Sequence, residues 1–344
     1  MRDPRQENLK QLRVNYNLDN ITPYVLSDRI QSTEMVYLDW NESSYSHKFV
    51  NEKLQEVDLS QYPDPHNKSL KKELSLYTGV ESAFIECFNG SDSALDYAFR
   101  TLLNVDDRVL IPYPNYTQVN QTIQSLGAEE DYCNILDLEE KIEIIEPEVV
   151  YLSNPNNPIG YVFDIEKLIN KFTNVIFIVD EAYYEYHTDY TCFDLAYKTS
   201  NLIVTRTFSK GLGLAGIRLG YLTTNSYIID KIKSIKNFKD VSRLAEAAGV
   251  IALQNIDVIN LDIDLTLRTK AKFEKEVKAS RVYLSKANFV LIEHPKYKEI
   301  IEDLKSNNIL VRDRSKFIDN SIRITIGKPD VMGAVTKIIN RHEI

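Results

Sequence analysis

From Tyr62-Pro-Asp-Pro65 onward, short apolar runs rich in valine and isoleucine alternate with longer amphipathic stretches, and this alternation restricts the chain to few architectures. Residues 82–88, 108–111, 148–152, 175–179, 202–205 and 217–222 read as strands, and 91–103 reads as a helix between the first two. Strands without polar alternation are covered on both faces, the condition of parallel strands joined by helical crossovers. The expected fold class is therefore α/β, with a mostly parallel sheet between helical layers.

Beyond these strands, 242–253 and about 258–282 carry helical spacing, the second stretch long enough to bridge two domains. A smaller α+β domain fits 283–344. The polar first thirty-five or so residues, with a helix expected near 5–14 and a break at Thr22-Pro-Tyr24, read as an arm. The division expected is an arm at 1–50 joining the small domain, a large domain at 51–255, and an interdomain helix with the small carboxy-terminal domain at 256–344. A length of 344 residues suits two domains.

The balance of 41 basic and 50 acidic residues, net −9, gives no electrostatic attraction for nucleic acid or an anionic membrane, so a small-molecule partner is expected. Cys87, Cys133 and Cys192 are scattered and form no Cys-x-x-Cys pair, as in a reducing compartment, and the cytoplasm is the expected location. Neither a leader-like apolar stretch nor a run of about 18 apolar residues occurs. The five histidines lack metal-ligand spacing, so no metal is expected.

One segment concentrates chemistry. Lys210 lies in Thr205-Arg-Thr-Phe-Ser-Lys-Gly-Leu-Gly-Leu-Ala-Gly-Ile-Arg218, after a strand and downstream of an Asn-Pro turn and a Val-Asp-Glu segment. Pyridoxal phosphate makes five demands that this chain meets. Its aldehyde needs a lysine, Lys210, whose pKa a neighbouring cation such as Arg218 lowers toward the neutral amine. Its ring nitrogen needs a buried carboxylate, Asp180 at a strand end, although an Asp there equally suits a helix cap. Its ring oxygen needs donors, Asn157 and Tyr183. Its phosphate needs the amides of Gly90, Ser91 and Asp92 ahead of a helix, the hydroxyls of Ser209 and Thr207, and Arg218; Ser91 is equally compatible with a plain N-cap. An aromatic lid is supplied by Tyr116.

The pattern Gly211-Leu-Gly-Leu-Ala-Gly216 matches the Gly-x-Gly-x-x-Gly dinucleotide fingerprint, which would make the chain a nicotinamide oxidoreductase. Its context disagrees: residues 217–222 alternate like a strand where the fingerprint requires a helix, and the motif lies mid-chain.

With those residues in place, the chain resembles the fold type I pyridoxal-phosphate enzymes, specifically the histidinol-phosphate aminotransferase group. The resemblance is carried by Thr22-Pro-Tyr24, Leu38-Asp-Trp-Asn-Glu42, Tyr62-Pro-Asp-Pro65, Gly90-Ser-Asp92, Asn154 to Gly160, Val179 to Tyr183, the Lys210 loop, Val311-Arg312 and Ile322-Arg-Ile-Thr-Ile-Gly327. It implies a three-layer large domain with a seven-stranded sheet, a small α+β domain completed by the arm, and a homodimer in which Tyr62 reaches the neighbouring subunit's cofactor phosphate. It further implies that Arg323 holds the carboxylate or phosphate of the substrate. Arg312 and Tyr24 match groups near the substrate's phosphorylated end, though a surface arginine and an arm-packing tyrosine fit the same positions. The usual Asn-Glu-Asn-Pro-Tyr-Gly is here Asn41-Glu-Ser-Ser-Tyr-Ser46, with Asn41 at the substrate mouth.

The activity this implies is an amino-group shuttle between glutamate and 2-oxoglutarate and a small phosphorylated compound, with histidinol phosphate and imidazole-acetol phosphate as the favoured pair. A decarboxylase resembling the threonine-phosphate enzymes shares the same cofactor site and stands as the alternative.

Overall fold

A computed structural model describes residues 15, 17–18, 21–23 and 32–344; the helix expected near 5–14 and the position of Tyr24 lie outside them. The strands among the described residues are β1 (Val36–Leu38), β2 (Ile85–Phe88), β3 (Arg108–Tyr113), β4 (Glu129–Asn134), β5 (Val149–Ser153), β6 (Ile176–Asp180), β7 (Leu202–Thr207), β8 (Gly220–Thr223), β9 (Arg281–Tyr283), β10 (Phe289–Glu293), β11 (Ile309–Asp313) and β12 (Ser321–Thr325). They form two sheets.

The larger sheet has seven strands in the order β2-β8-β7-β6-β5-β3-β4. The pairs β4–β3, β3–β5, β5–β6 and β6–β7 are parallel, and β8 alone runs against both neighbours. Alternate residues feed opposite layers, as the two-residue period of a strand demands. Val149, Tyr151, Ile178 and Ile203 join a core with the helix Gly90–Leu102, whereas Val150, Leu152, Val179 and Val204 join a core with the helices Lys68–Thr78 and Arg243–Leu253. Each fully buried aliphatic side chain contributes about 1.5–3 kcal/mol, so the register of the central strands is strongly specified. The expected three-layer α/β class is the one observed.

The five-stranded sheet, in the order β1-β11-β12-β10-β9, packs Leu38, Val290, Ile292, Ile322 and Ile324 against the helices Tyr297–Ser306 and Pro329–Ile339. Its edge strand β1 pairs in parallel with β11, Val36 opposite Ile309.

Four elements differ from expectation, the first being the strand expected at 82–88, which begins only at Ile85 after a 3-10 turn at Ser82–Phe84. Strand β4, Glu-Glu-Asp-Tyr-Cys-Asn, pairs only with β3 at the sheet edge and is largely solvated, so it carries no apolar run to detect. The strand expected at 217–222 begins only at Gly220, because a 3-10 turn at Ala215–Ile217 leads into Arg218 with φ +52°. The long helix spans Ile256–Glu276 with Val277 as its C-cap, and Val282, expected in the helix, lies in β9 instead.

Candidate active site

Strands β2, β3, β5, β6 and β7 all end at one edge of the large sheet, and β8, running the other way, begins there. This is where an open α/β sheet presents ligands. The loops leaving that edge line a cavity of about 340 Å³ together with residues of the small sheet, a size suited to a small molecule.

Asp180, the last residue of β6, is 5 % exposed and reaches the cavity. The Thr205 hydroxyl donates to its Oδ1 at 3.1 Å, and the Tyr151 hydroxyl lies 3.5 Å from its Oδ2. Burial first, then the nearby Asp92, pushes its carboxyl up to about 7. Tyr183, not Asp180, is the N-cap of the next helical turn at Tyr184–Tyr186, so Asp180 is not a helix cap.

Lys210 lies three residues beyond β7, and its Nζ donates to the backbone carbonyl of Trp40 at 2.8 Å. Burial lowers its pKa to about 8, helped by Arg323 and Arg218 and opposed by Glu42 and Asp92. Against the usual lysine, an amine in that range has a far larger neutral fraction near physiological pH, the form a nucleophile or base requires.

At one end of the cavity a cradle forms around the helix Gly90–Leu102. Gly90 has φ +83°, and a Cβ there would lie 2.7 Å from Arg218 Nη2; a Cβ on Gly220 would lie 2.3 Å from the Ser91 amide nitrogen. Glycine at both positions lets the guanidinium and the helix start close together. The N-cap is Asn89, with no side-chain cap bond, and Ser91 is already inside the helix, which removes the plain N-cap reading of Ser91. Arg218 Nη1 reaches Ser209 Oγ at 3.4 Å, and the Ser209 hydroxyl lies 3.0 Å from that of Thr207. Arg218 Nη2 is 3.3 Å from Asp92 Oδ2, while Tyr116 donates its hydroxyl to Asp92 Oδ1 at 2.8 Å.

The opposite wall joins the two sheets. Tyr183 Oη accepts from Asn41 Nδ2 at 2.8 Å and from Asn157 Nδ2 at 3.2 Å, which leaves its own proton for a third partner. Arg323, on β12 and 3 % exposed, donates to Asn157 Oδ1 and to the Asp39 carbonyl, each at 2.6 Å. Arg312 and Arg314, two residues apart, line both this cavity and an adjoining one of about 680 Å³ walled by Tyr132, Lys316 and Phe317.

The candidate residues thus converge, with two exceptions. Tyr62 is 75 % exposed outside the cavity, with Lys239 Nζ 3.9 Å from its ring centroid, and Tyr24 lies outside the described residues. Sequence reasoning missed Arg314, Ser153, Ala182, Gln118, Asp39 and Trp40 as lining residues. Arg314 was within reach, being one strand period beyond Arg312. Asp39 and Trp40 act through backbone carbonyls, which no residue type announces.

Among the described residues, no group of three or more His, Cys, Asp or Glu side chains is placed to hold a metal ion, and no single helix is long and apolar enough to cross a membrane.

Comparison with known proteins agrees with this geometry. The chain is 32 % identical to the dihydroxyacetone phosphate transaminase of Campylobacter jejuni, over 95 % of this chain and 96 % of that protein. It is 32 % identical to the histidinol-phosphate aminotransferase of Methanocaldococcus jannaschii, over 90 % of each. Its fold matches that of a histidinol-phosphate aminotransferase from Sinorhizobium meliloti solved in complex with pyridoxal-5'-phosphate, with TM-score 0.79, 23 % identity and coverage of 89 % of this chain and 91 % of the other. The family model for class I and II aminotransferases matches residues 33–339, and with the lysine, aspartate and arginine gathered at one sheet edge, the chain belongs to that family.

Proposed function

We propose that the chain is a pyridoxal-phosphate-dependent aminotransferase that exchanges an amino group between glutamate and a small phosphorylated ketone, with imidazole-acetol phosphate and histidinol phosphate as the favoured pair. The observation that carries this reading is the placement of Asp180 and Lys210 in one cavity, each with its pKa moved toward neutrality, beside an arginine-lined cradle at a helix start.

The donor set fits the cofactor. A carboxyl whose pKa burial has raised gains most from a cationic partner, which a pyridinium nitrogen is. With no Cβ on Gly90, the Arg218 guanidinium closes on the helix start, so a fixed cation and the first helix amides stand together as an anion site. When bound, pyridoxal phosphate supplies an aldehyde that takes up an amino group and a ring that accepts electrons.

The remaining work belongs to the chain. Asp180 holds the proton on the ring nitrogen. The Ser91 and Asp92 amides, Ser209, Thr207 and Arg218 hold the phosphate. Asn157 and Tyr183 orient the ring oxygen, and Tyr116 covers the ring face. The Lys210 amine would take the proton from the substrate's α-carbon and deliver it to the cofactor, the transfer that lets the amino group change hands. Arg323 offers a bidentate guanidinium to the substrate's carboxylate, and Arg312 with Arg314 suits a phosphomonoester, with Tyr24 beside them and Asn41 in the buried wall behind Tyr183, not at the mouth.

We also assign residues 1–50 and 256–344 to the small domain and 51–255 to the large one, and place the protein in the cytoplasm as a homodimer. The exposure of Tyr62 outside its own cavity supports a role in a neighbouring subunit's site.

A second reading has its own support in the Campylobacter relative, whose acceptor is dihydroxyacetone phosphate; it shares the phosphomonoester and ketone of the first. The deciding experiment loads purified enzyme with pyridoxal phosphate and glutamate, measures 2-oxoglutarate release, and then offers each phosphorylated ketone in turn. Release of 2-oxoglutarate with preferential turnover of imidazole-acetol phosphate supports the favoured pair. Preference for dihydroxyacetone phosphate transfers support to the second reading, and carbon dioxide release from a phosphorylated amino acid without 2-oxoglutarate would sink both.

A further inference from the structure

The three glycines after Lys210 have unlike surroundings. A Cβ on Gly211 would lie 2.4 Å from the Cβ and 2.6 Å from the Oε2 of Glu185; one on Gly213, where φ is +68°, would lie 2.6 Å from His47 Nε2; one on Gly216 meets nothing within 4 Å. The spacing that mimics a dinucleotide fingerprint is thus partly a packing pattern, in which two glycines let side chains close on the lysine loop.

Glu185 is a buried acid that the proposed chemistry does not use. It lies in the turn Tyr184–Tyr186, five residues past Asp180, and is 8 % exposed, with Oε2 lacking a hydrogen-bond partner. Burial pushes its carboxyl up to about 7, whereas Arg206 and the backbone N–H of Gly211 favour the charged form and Glu181 opposes it. Burying a polar group without full compensation costs stability, so its retention at this spot calls for a role. What it packs against is the peptide unit adjoining the proposed catalytic amine.

We propose that Glu185 is a positioning residue for Lys210: its side chain, packed on the Gly211 backbone while His47 closes on Gly213, sets where the loop holds the amine. This rests on the assignment of Lys210 as the cofactor lysine. The segment from Asp180 to Glu185 then ties the ring-nitrogen partner and the lysine loop into one unit, so their separation is not adjusted independently.

The test reads the amine directly. Apoprotein is acetylated competitively over a pH series, Lys210 labelling is quantified by peptide mass spectrometry, and capture of added pyridoxal phosphate is followed by absorbance, with thermal unfolding measured alongside. Glu185→Ala and Gly211→Ala are each expected to displace the labelling profile and to slow cofactor capture about 10- to 100-fold. The double variant should be no worse than either alone, since both disturb the same contact. Glu185→Gln, which keeps the shape, and Gly216→Ala, which meets open space, should stay close to wild type. Wild-type labelling and capture in Glu185→Ala and Gly211→Ala overturns the proposal. Should Glu185→Ala fail to fold, the Gly211→Ala and Gly216→Ala pair decides, and equal profiles in the two overturn it. Wild-type protein with a reactive Lys210 that captures no pyridoxal phosphate would instead overturn the assignment of the cofactor, leaving the packing role to stand on the labelling profile.

Discussion

Asp180 and Glu181 are consecutive, 5 % and 2 % exposed, and point to opposite faces of the large sheet, yet their surroundings have little in common. On one face Glu181 receives Arg206 Nε at 2.9 Å, the Cys192 amide at 2.7 Å and the Thr191 hydroxyl at 2.9 Å. Arg206 is itself enclosed, its guanidinium carbon 3.4 Å from the Tyr184 ring centroid and 4.2 Å from that of Phe193. On the other face the partners of Asp180 are the hydroxyls of Thr205 and Tyr151 and the backbone N–H of Ala182, all neutral, and its carboxyl is pushed up to about 7. A carboxylate paired with a buried guanidinium works as a joint, whereas one given only neutral donors beside a cavity favours a cation from outside. Burial alone does not tell them apart; the inventory of partners does.

The contrast can be broken in several ways. The largest effect is expected from Lys210→Ala, which should remove the visible absorbance acquired with pyridoxal phosphate and lower transamination by about 100,000-fold, while urea unfolding stays near wild type. Parallel loss of folding would show that the cavity face is structural as well. Next comes Arg206→Met, which strands Glu181 in the core and should cost about 3–5 kcal/mol in urea unfolding, while the folded fraction still captures cofactor. Undiminished stability would deny Glu181 and Arg206 their role as a joint.

Asp180→Asn should leave the fold intact and lower the turnover rate about 100- to 1,000-fold, since a neutral amide no longer holds the ring-nitrogen proton electrostatically. Turnover equal to wild type would remove Asp180 from the chemistry. The smallest effect is a pH slope in the apoprotein. Because the folded Asp180 carboxyl sits near 7, above its ordinary 3.8, the folded state holds a proton that the unfolded state has released. That contribution is fully present below 3.8 and is lost as pH rises to about 7, and Glu185, also pushed up to about 7, acts in the same sense. Stability to urea should therefore fall over that window, and Asp180→Asn should flatten the slope only in part.

The sequence made the seven-stranded sheet legible wherever strands are covered on both faces, because continuous apolar runs mark them. Strand β4 escaped because an edge strand with a solvated face is polar in composition. The residues of the cavity face were readable as chemistry: an amine, a carboxylate, amides and arginines at strand ends. Those of the opposite face were not, because Arg206 within Leu-Ile-Val-Thr-Arg-Thr gives no sign that an acid 25 positions earlier and two aromatic rings enclose it. Glu185 was hidden for a similar reason, since its contact is with a glycine backbone and not with a complementary side chain.

The pairing of β1 with β11 sets an order of events during protein synthesis. The carbonyls of Asp39 and Trp40, which receive Arg323 and Lys210, hang from a strand whose mate is residues 309–311. A nascent chain on the ribosome has therefore translated the whole seven-stranded sheet, with its lysine and aspartate, well before those two carbonyls gain their anchorage. Throughout that interval the lysine stands without the wall that those two carbonyls build.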